Sequence, residues 1–98
     1  MLRDFFLGFI KIHILHHAAR EPVYGLWLIE ELGRHGYKLS PGTLYPILHK
    51  LENQDYLKSF SQNAGGIIRK YYKTTEKGVR AMRQIRKKIN ELVNEVMT

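Results

Sequence analysis

Three histidines crowd one short stretch of the chain. His13, His16 and His17 stand three and four residues apart, a spacing that puts imidazoles on neighbouring turns of a helix. Such rings can share a metal ion or respond together to protons. No cysteine occurs in the 98 residues, however, and no carboxylate stands among these histidines. Neither a metal site nor a cofactor is therefore expected. The rings are read as lining or bordering a subunit interface, with effector or pH sensing, shared with Trp27, as the functional alternative. A second constellation is cationic: Arg69 and Lys70 closely follow Gly65-Gly66, with Lys58 and Lys73 nearby. Cations beside a glycine turn suit phosphate or minor-groove contact, although lysines also shield exposed strand edges. A third lies at helical spacing, where Gly42, Pro46, His49 and Asn53 form a line flanked by Thr43, Tyr45 and Lys50. Donors of this kind near a helix start suit phosphate contact from the first turn and base-edge contact from His49, Lys50 or Asn53. An ordinary solvated helix face has the same pattern. Catalysis finds no support, because the chain has no glycine-rich phosphate loop, no serine elbow and no metalloprotease His-Glu spacing. An enzyme is not expected.

Elements that could position these groups follow from periodicity. Asp4 is the expected N-cap of a first helix that must stop before Pro22. Its apolar residues point nearly all round the axis, so it must be buried on every side, in part by a second subunit. A second helix spans about Tyr24 to His35, with Leu28, Ile29 and Leu32 inward, Trp27 set between them, and Gly36 as its stop. Ser40-Pro41 opens a third, to about Gln54, whose inner stripe is Leu44, Ile47, Leu48 and Leu51. Pro46 is awkward there, because it removes a backbone bond to residue 42. The period then changes. Tyr56 to Ser61 and Ile67 to Thr74, around Gln62-Asn63-Ala64-Gly65-Gly66, read as a β-hairpin. Thr75 caps a last helix on which Met82, Ile85, Ile89, Leu92 and Val96 repeat at spacings of three and four, a coiled-coil type of seam.

Charge follows the same division. The formal net charge is +7, yet residues 1–54 carry six basic and five acidic side chains, against ten and four in residues 55–98. The excess lies between Lys58 and Lys88 and points to a polyanionic partner. The Phe5–Leu15 run is too short for a bilayer span and is broken by Lys11 and His13, and no secretory cleavage pattern follows. The expected location is cytoplasmic, with no membrane partner.

Three helices, a hairpin and an appended helix make a mainly α fold with a small β-hairpin. This is the order of a winged helix-turn-helix domain over residues 1–75, followed by a C-terminal dimerisation helix over 76–98 within one structural unit. The stretches Pro22-Val23-Tyr24-Gly25, Leu39-Ser40-Pro41-Gly42-Thr43-Leu44-Tyr45-Pro46-Ile47-Leu48 and Gly66-Ile67-Ile68-Arg69-Lys70-Tyr71-Tyr72-Lys73-Thr74-Thr75 carry a resemblance. With them the chain resembles the PadR family of transcriptional regulators, in its smaller subtype with a short C-terminus. The resemblance implies a homodimer that binds a pseudo-palindromic operator on double-stranded DNA, usually as a repressor released by a small-molecule effector or another signal. It matches Ser40, Thr43, Tyr45 and Pro46 to the reading helix, joined by His49 and Lys50 from the helix face, and Arg69 and Lys70 to the wing. Dimerisation falls to the last helix against the partner's first, through Phe5, Phe9, Ile12, Met82, Ile85, Ile89, Leu92 and Val96. Two departures stand out: Ile67 replaces a frequent cation after the wing glycine, and Asp55 replaces a frequent glycine after helix 3. The alternative from another class is a winged-helix protein-interaction module that binds no specific DNA.

Overall fold

The computed structural model describes residues 1–98. Its elements are α1 (Leu2–Arg20), β1 (Val23–Tyr24), α2 (Gly25–Arg34), α3 (Pro41–Asn53), β2 (Leu57–Ala64), β3 (Ile67–Thr74) and α4 (Glu76–Val96). The four helices and the hairpin read from the sequence are all present, in the order of a winged helix.

Three details differ from the sequence reading. The first helix begins at Leu2, so Asp4 is not its cap but a first-turn residue, where a carboxylate still favours the positive helix end. Residues 23 and 24, the latter expected at the start of helix 2, form a strand instead. Val23 pairs with Tyr72 and Tyr24 with Tyr71, making an antiparallel sheet of order β1-β3-β2. Two residues are too few to show a period, and only the neighbouring edge of β3 makes them a strand. The hairpin tip is also shorter than expected. Gly65 and Gly66 alone form the turn, with φ of 61° and 85°, a left-handed pair that suits a tight hairpin. Asn63 Oδ1 accepts from the Gly66 amide at 2.9 Å, so Gln62 and Asn63 stay in the ladder.

The core gathers around α1. Ile10, Ile14, Leu15 and Ala18 meet Leu28 and Leu32 of α2, Leu44, Leu48 and Leu51 of α3, and Leu57 and Tyr72 of the sheet. Truncating such a residue costs about 2–5 kcal/mol. The Thr74 hydroxyl donates to the Leu15 carbonyl at 2.8 Å, tying the wing's base to α1. Asp55 takes φ of 65°, the left-handed region that aspartate tolerates better than most residues, so the chain turns into β2 without a glycine. There the Asp55 carbonyl accepts from Thr75 Oγ1 at 2.6 Å, while Thr75 Oγ1 itself accepts from the Gly78 amide at 3.1 Å. Thr75 is thus the working cap of α4, as its sequence position predicts.

Met82 corrects the expected dimerisation seam. It is buried in the protomer's own core, because the first turns of α4 lie against α1 and β3. It therefore offers no free surface to a partner. From Arg86 onward every residue of α4 is exposed.

Candidate nucleic-acid interface and subunit face

On α3, Leu44, Leu48 and Leu51 are buried, while Thr43, Tyr45, Pro46, His49, Lys50 and Asn53 are exposed. The helix runs unbroken through Pro46, giving up one ladder bond at its exposed face. Ser40 is the N-cap by position, but its side chain makes no cap bond. Its carbonyl accepts from the Thr43 and Leu44 amides at 3.1 and 3.0 Å, and its hydroxyl sits 3.3 Å from Thr43 Oγ1. Two hydroxyls thus stand together at the start of α3, where the unpaired amides of a first turn favour an anion. Tyr45 is held differently. Its ring lies over Gly25, the first residue of α2, where any side chain would collide with it.

The wing is tied to α3 through Ser59, whose hydroxyl donates to Glu52 Oε2 at 2.5 Å. On the outer face of the sheet the Arg69 guanidinium lies 4.4 Å over the Tyr24 ring. Tyr24 meets Tyr71 edge-on and Tyr71 stacks on Phe60, so one aromatic row supports the cation. Arg69 is half-buried by this contact, whereas Lys70 is exposed, with Nζ 5.5 Å from the Tyr72 ring. Burial pushes the Tyr72 phenol up, which keeps it neutral beneath Lys70. The two wing cations therefore differ: Arg69 is half-buried on its aromatic row, whereas Lys70 is exposed above the Tyr72 ring.

The sequence profile described as the transcriptional regulator PadR-like family matches residues 14–84. The chain belongs to the PadR-like family of transcriptional regulators. It is 45% identical over 96 residues to Transcriptional regulator Rv3488 of Mycobacterium tuberculosis, spanning 98% of this chain and 90% of that one. Among solved structures, a PadR family transcriptional regulator from Eggerthella lenta is 35% identical at a TM-score of 0.81, covering 98% of this chain and 85% of the other. A PadR-like transcriptional regulator from Bacillus cereus, 27% identical, superposes at 0.80 over 93% of each. These relatives are regulators of transcription rather than enzymes, and this PadR-like protein is one of them.

In this PadR-like regulator an exposed apolar face lies along α1 and α4. Phe5 is 52% exposed, Phe9 48%, Leu92 57% and Val96 62%, with Ile89 exposed beside them. Ile12 and Ile85 are half-buried against the core, at the floor of a groove of about 700 Å³ that Phe9, Ile89 and Leu92 also line. Of the residues expected at a subunit contact other than Met82, Phe5, Phe9, Ile89, Leu92 and Val96 are exposed on α1 and α4, and Ile12 and Ile85 lie at the floor of the groove. The outer ring of α1, expected to be covered all round, is open in the protomer from Met1 to Phe6 and at Phe9. No helix is long and apolar enough to cross a membrane.

The histidines form a different group from the one their sequence spacing suggested. His13 and His17 are joined not by His16 but by His35, the C-cap residue of α2, and one ring nitrogen from each of these three lies within 4.8 Å of the other two. Glu31, one turn before His35, accepts from His35 Nε2 at 3.0 Å and lies 3.4 Å from His17 Nε2. The carboxylate absent from the local sequence is thus supplied by the neighbouring helix. Burial holds the His13 and His17 imidazoles below the usual histidine range, with neighbouring histidines adding to the effect. The His35 hydrogen bond holds the Glu31 carboxyl below its usual range. Trp27, half-buried, meets His17 edge-on with ring centroids 5.3 Å apart and so walls one side of the cluster. The i, i+4 pair Glu31/His35 was a visible signal, but only packing of α2 on α1 shows that it matters.

Proposed function

We propose that the protein is a cytoplasmic homodimer that binds a pseudo-palindromic operator on double-stranded DNA and represses transcription until a small molecule or another signal releases it. The observation that carries this reading is the α3 face. It combines hydroxyl, imidazole and ammonium groups, all exposed, on a helix whose other side is fully committed to the core. In the proposed complex α3 lies in a major groove, where Tyr45, Pro46, His49 and Lys50 meet base edges, while Ser40 and Thr43 meet a phosphate at its N-terminus. Arg69 and Lys70 of the wing meet the flanking backbone. A dimer joined along the α1 and α4 faces presents two reading helices related by a two-fold axis. That symmetry asks for half-sites about one helical turn apart.

The test compares wild type, Tyr45→Ala and Arg69→Ala on an operator selected from random DNA and on an unrelated duplex. Tyr45→Ala weakens operator binding more than it weakens binding to the unrelated duplex, because base contacts alone carry sequence information. Arg69→Ala weakens both. Equal binding of both duplexes by wild type, lost above moderate salt, supports the protein-interaction module instead.

A further inference from the structure

We infer that His13 and His17 of α1, with His35 and Glu31 of α2, form a binding site for a divalent transition-metal ion of the zinc class. The site needs nothing from the DNA-binding reading and stands or falls separately. Four donors converge from two helices. Three are imidazole nitrogens, one from each histidine, within 4.8 Å of one another, and beside them the Glu31 carboxylate oxygen lies 3.0 Å from His35 Nε2 and 3.4 Å from His17 Nε2. Four ligands around a tetrahedral zinc ion, each about 2.0–2.1 Å from it, stand roughly 3.3 Å from each other. The Glu31 contacts already have that spacing. The imidazoles close the rest by small rotations, which the half-exposed His35 ring and the exposed end of α2 permit.

The donor set selects the ion. Three neutral nitrogens and one carboxylate, with no thiolate, suit Zn²⁺, Co²⁺ or Ni²⁺ and disfavour Mg²⁺ and Ca²⁺, which require mostly oxygen. A plain ion-pair network explains the geometry less fully. It would account for Glu31 beside His17 and His35, but it leaves the His13 ring tilted against the His35 ring, centroids 4.5 Å apart, with no hydrogen bond or ion pair of its own to a carboxylate. A metal ion gives His13 a reason to be there. The bound ion would clamp α1 to α2, and Gly36, with φ of 88°, immediately follows the clamp on the way to α3. Trp27 beside His17 supplies a built-in optical reporter.

The experiment uses the full, untagged chain stripped with a chelator, titrated with Zn²⁺ by calorimetry and with Co²⁺ by visible absorption. Expected are one ion per chain, the intense visible bands of tetrahedral Co²⁺, and quenching of Trp27. A hundredfold excess over Kd should raise Tm by on the order of 10 °C. His17→Ala and His35→Ala should each weaken binding about 100-fold or more, and Glu31→Gln about 10-fold or more. His35 is exposed at a helix end, so its variant keeps the fold even where His17→Ala does not, and circular dichroism checks both. His16→Ala and His49→Ala should bind as wild type does. Octahedral Co²⁺ spectra, equal losses in the His16 and His49 variants, or no saturable binding to wild type would overturn the site. DNA binding measured with and without Zn²⁺ tests the proposed function separately, since its failure leaves the metal stoichiometry untouched.

Discussion

Gly25 and Tyr45 join α2 to α3 through a contact that has no room for one methyl group. An ideal Cβ on Gly25 would overlap the Tyr45 hydroxyl and lie 2.7 Å from Cζ and 3.1 Å from Cε1. The glycine has an ordinary backbone conformation, so alanine carries no strain of its own there. Two effects then oppose each other. Removing glycine's freedom in the unfolded chain stabilises by about 0.4–1 kcal/mol, and overpacking costs about 1–3 kcal/mol. Tyr45 is 38% exposed and can swing outward, which places the cost toward the lower end of that range. Gly25→Ala should therefore destabilise by no more than about 0.5 kcal/mol, or roughly 2–4 °C in Tm. In a Tyr45→Ala background the space is open, and the same change should stabilise by about 0.4–1 kcal/mol. Urea denaturation of the four proteins at one fixed concentration measures the cycle. An additive cycle, with the two effects of Gly25→Ala agreeing within about 0.5 kcal/mol, would refute the packing argument. If Tyr45 reads DNA from this pose, Gly25→Ala also weakens operator binding by roughly 5- to 30-fold, the effect of a lost contact of about 1–2 kcal/mol.

Other outcomes follow from the same contacts. Gly78→Ala should destabilise by about 1–3 kcal/mol, because its Cβ would meet the Tyr56 carbonyl oxygen at 2.5 Å, whereas Gly33→Ala, with open space around it, should stabilise by about 0.4–1 kcal/mol; thermal melts showing the same sign for both would be contrary. Leu92→Glu, on the exposed apolar face of α4, should convert a dimer to monomers in sedimentation equilibrium without loss of helix content. Acidification should destabilise the metal-free protein. His13, His17 and Glu31 all have lowered folded values, so the unfolded chain binds more protons; the histidine contribution is complete above pH 6.5 and is lost as pH falls through the lower folded values, and that of Glu31 follows below pH 4.5. Urea midpoints from pH 7.5 to 4 measure this, and His13→Ala/His17→Ala should flatten the upper part of the curve. Lys70→Ala should lower the salt slope of DNA binding by about one unit if the exposed Lys70 meets a phosphate.

Much of the fold could be read from local pattern. The leucines of α3, the two glycines of the wing and the Thr75 cap each act through neighbours within one turn or one hairpin, so their types and spacings suffice. Residues whose role depends on a distant element were read less well. Asp4 is not the cap, because α1 gains two further residues before it. Val23 and Tyr24 become a strand only because Tyr71 and Tyr72 pass beside them. Met82 looks like part of an intermolecular seam by its spacing. Yet a seam of threes and fours runs down any amphipathic helix, and which turn of it faces the core depends on where α1 crosses.

The sequence by itself determined the order of elements, the buried stripe of each helix, the placing of basic charge on the wing and α4, and the motifs shared with the PadR-like family. These are properties of short segments, set by periodicity and by the conformational limits of glycine, proline and threonine. Only the tertiary structure decided which apolar residues remain open for a partner, that the Tyr45 ring lies against Gly25, and that His35 and Glu31, rather than His16, complete the group begun by His13 and His17. Those are distances between side chains far apart in the chain. They follow from how the helices cross, and no local pattern of residues encodes that angle.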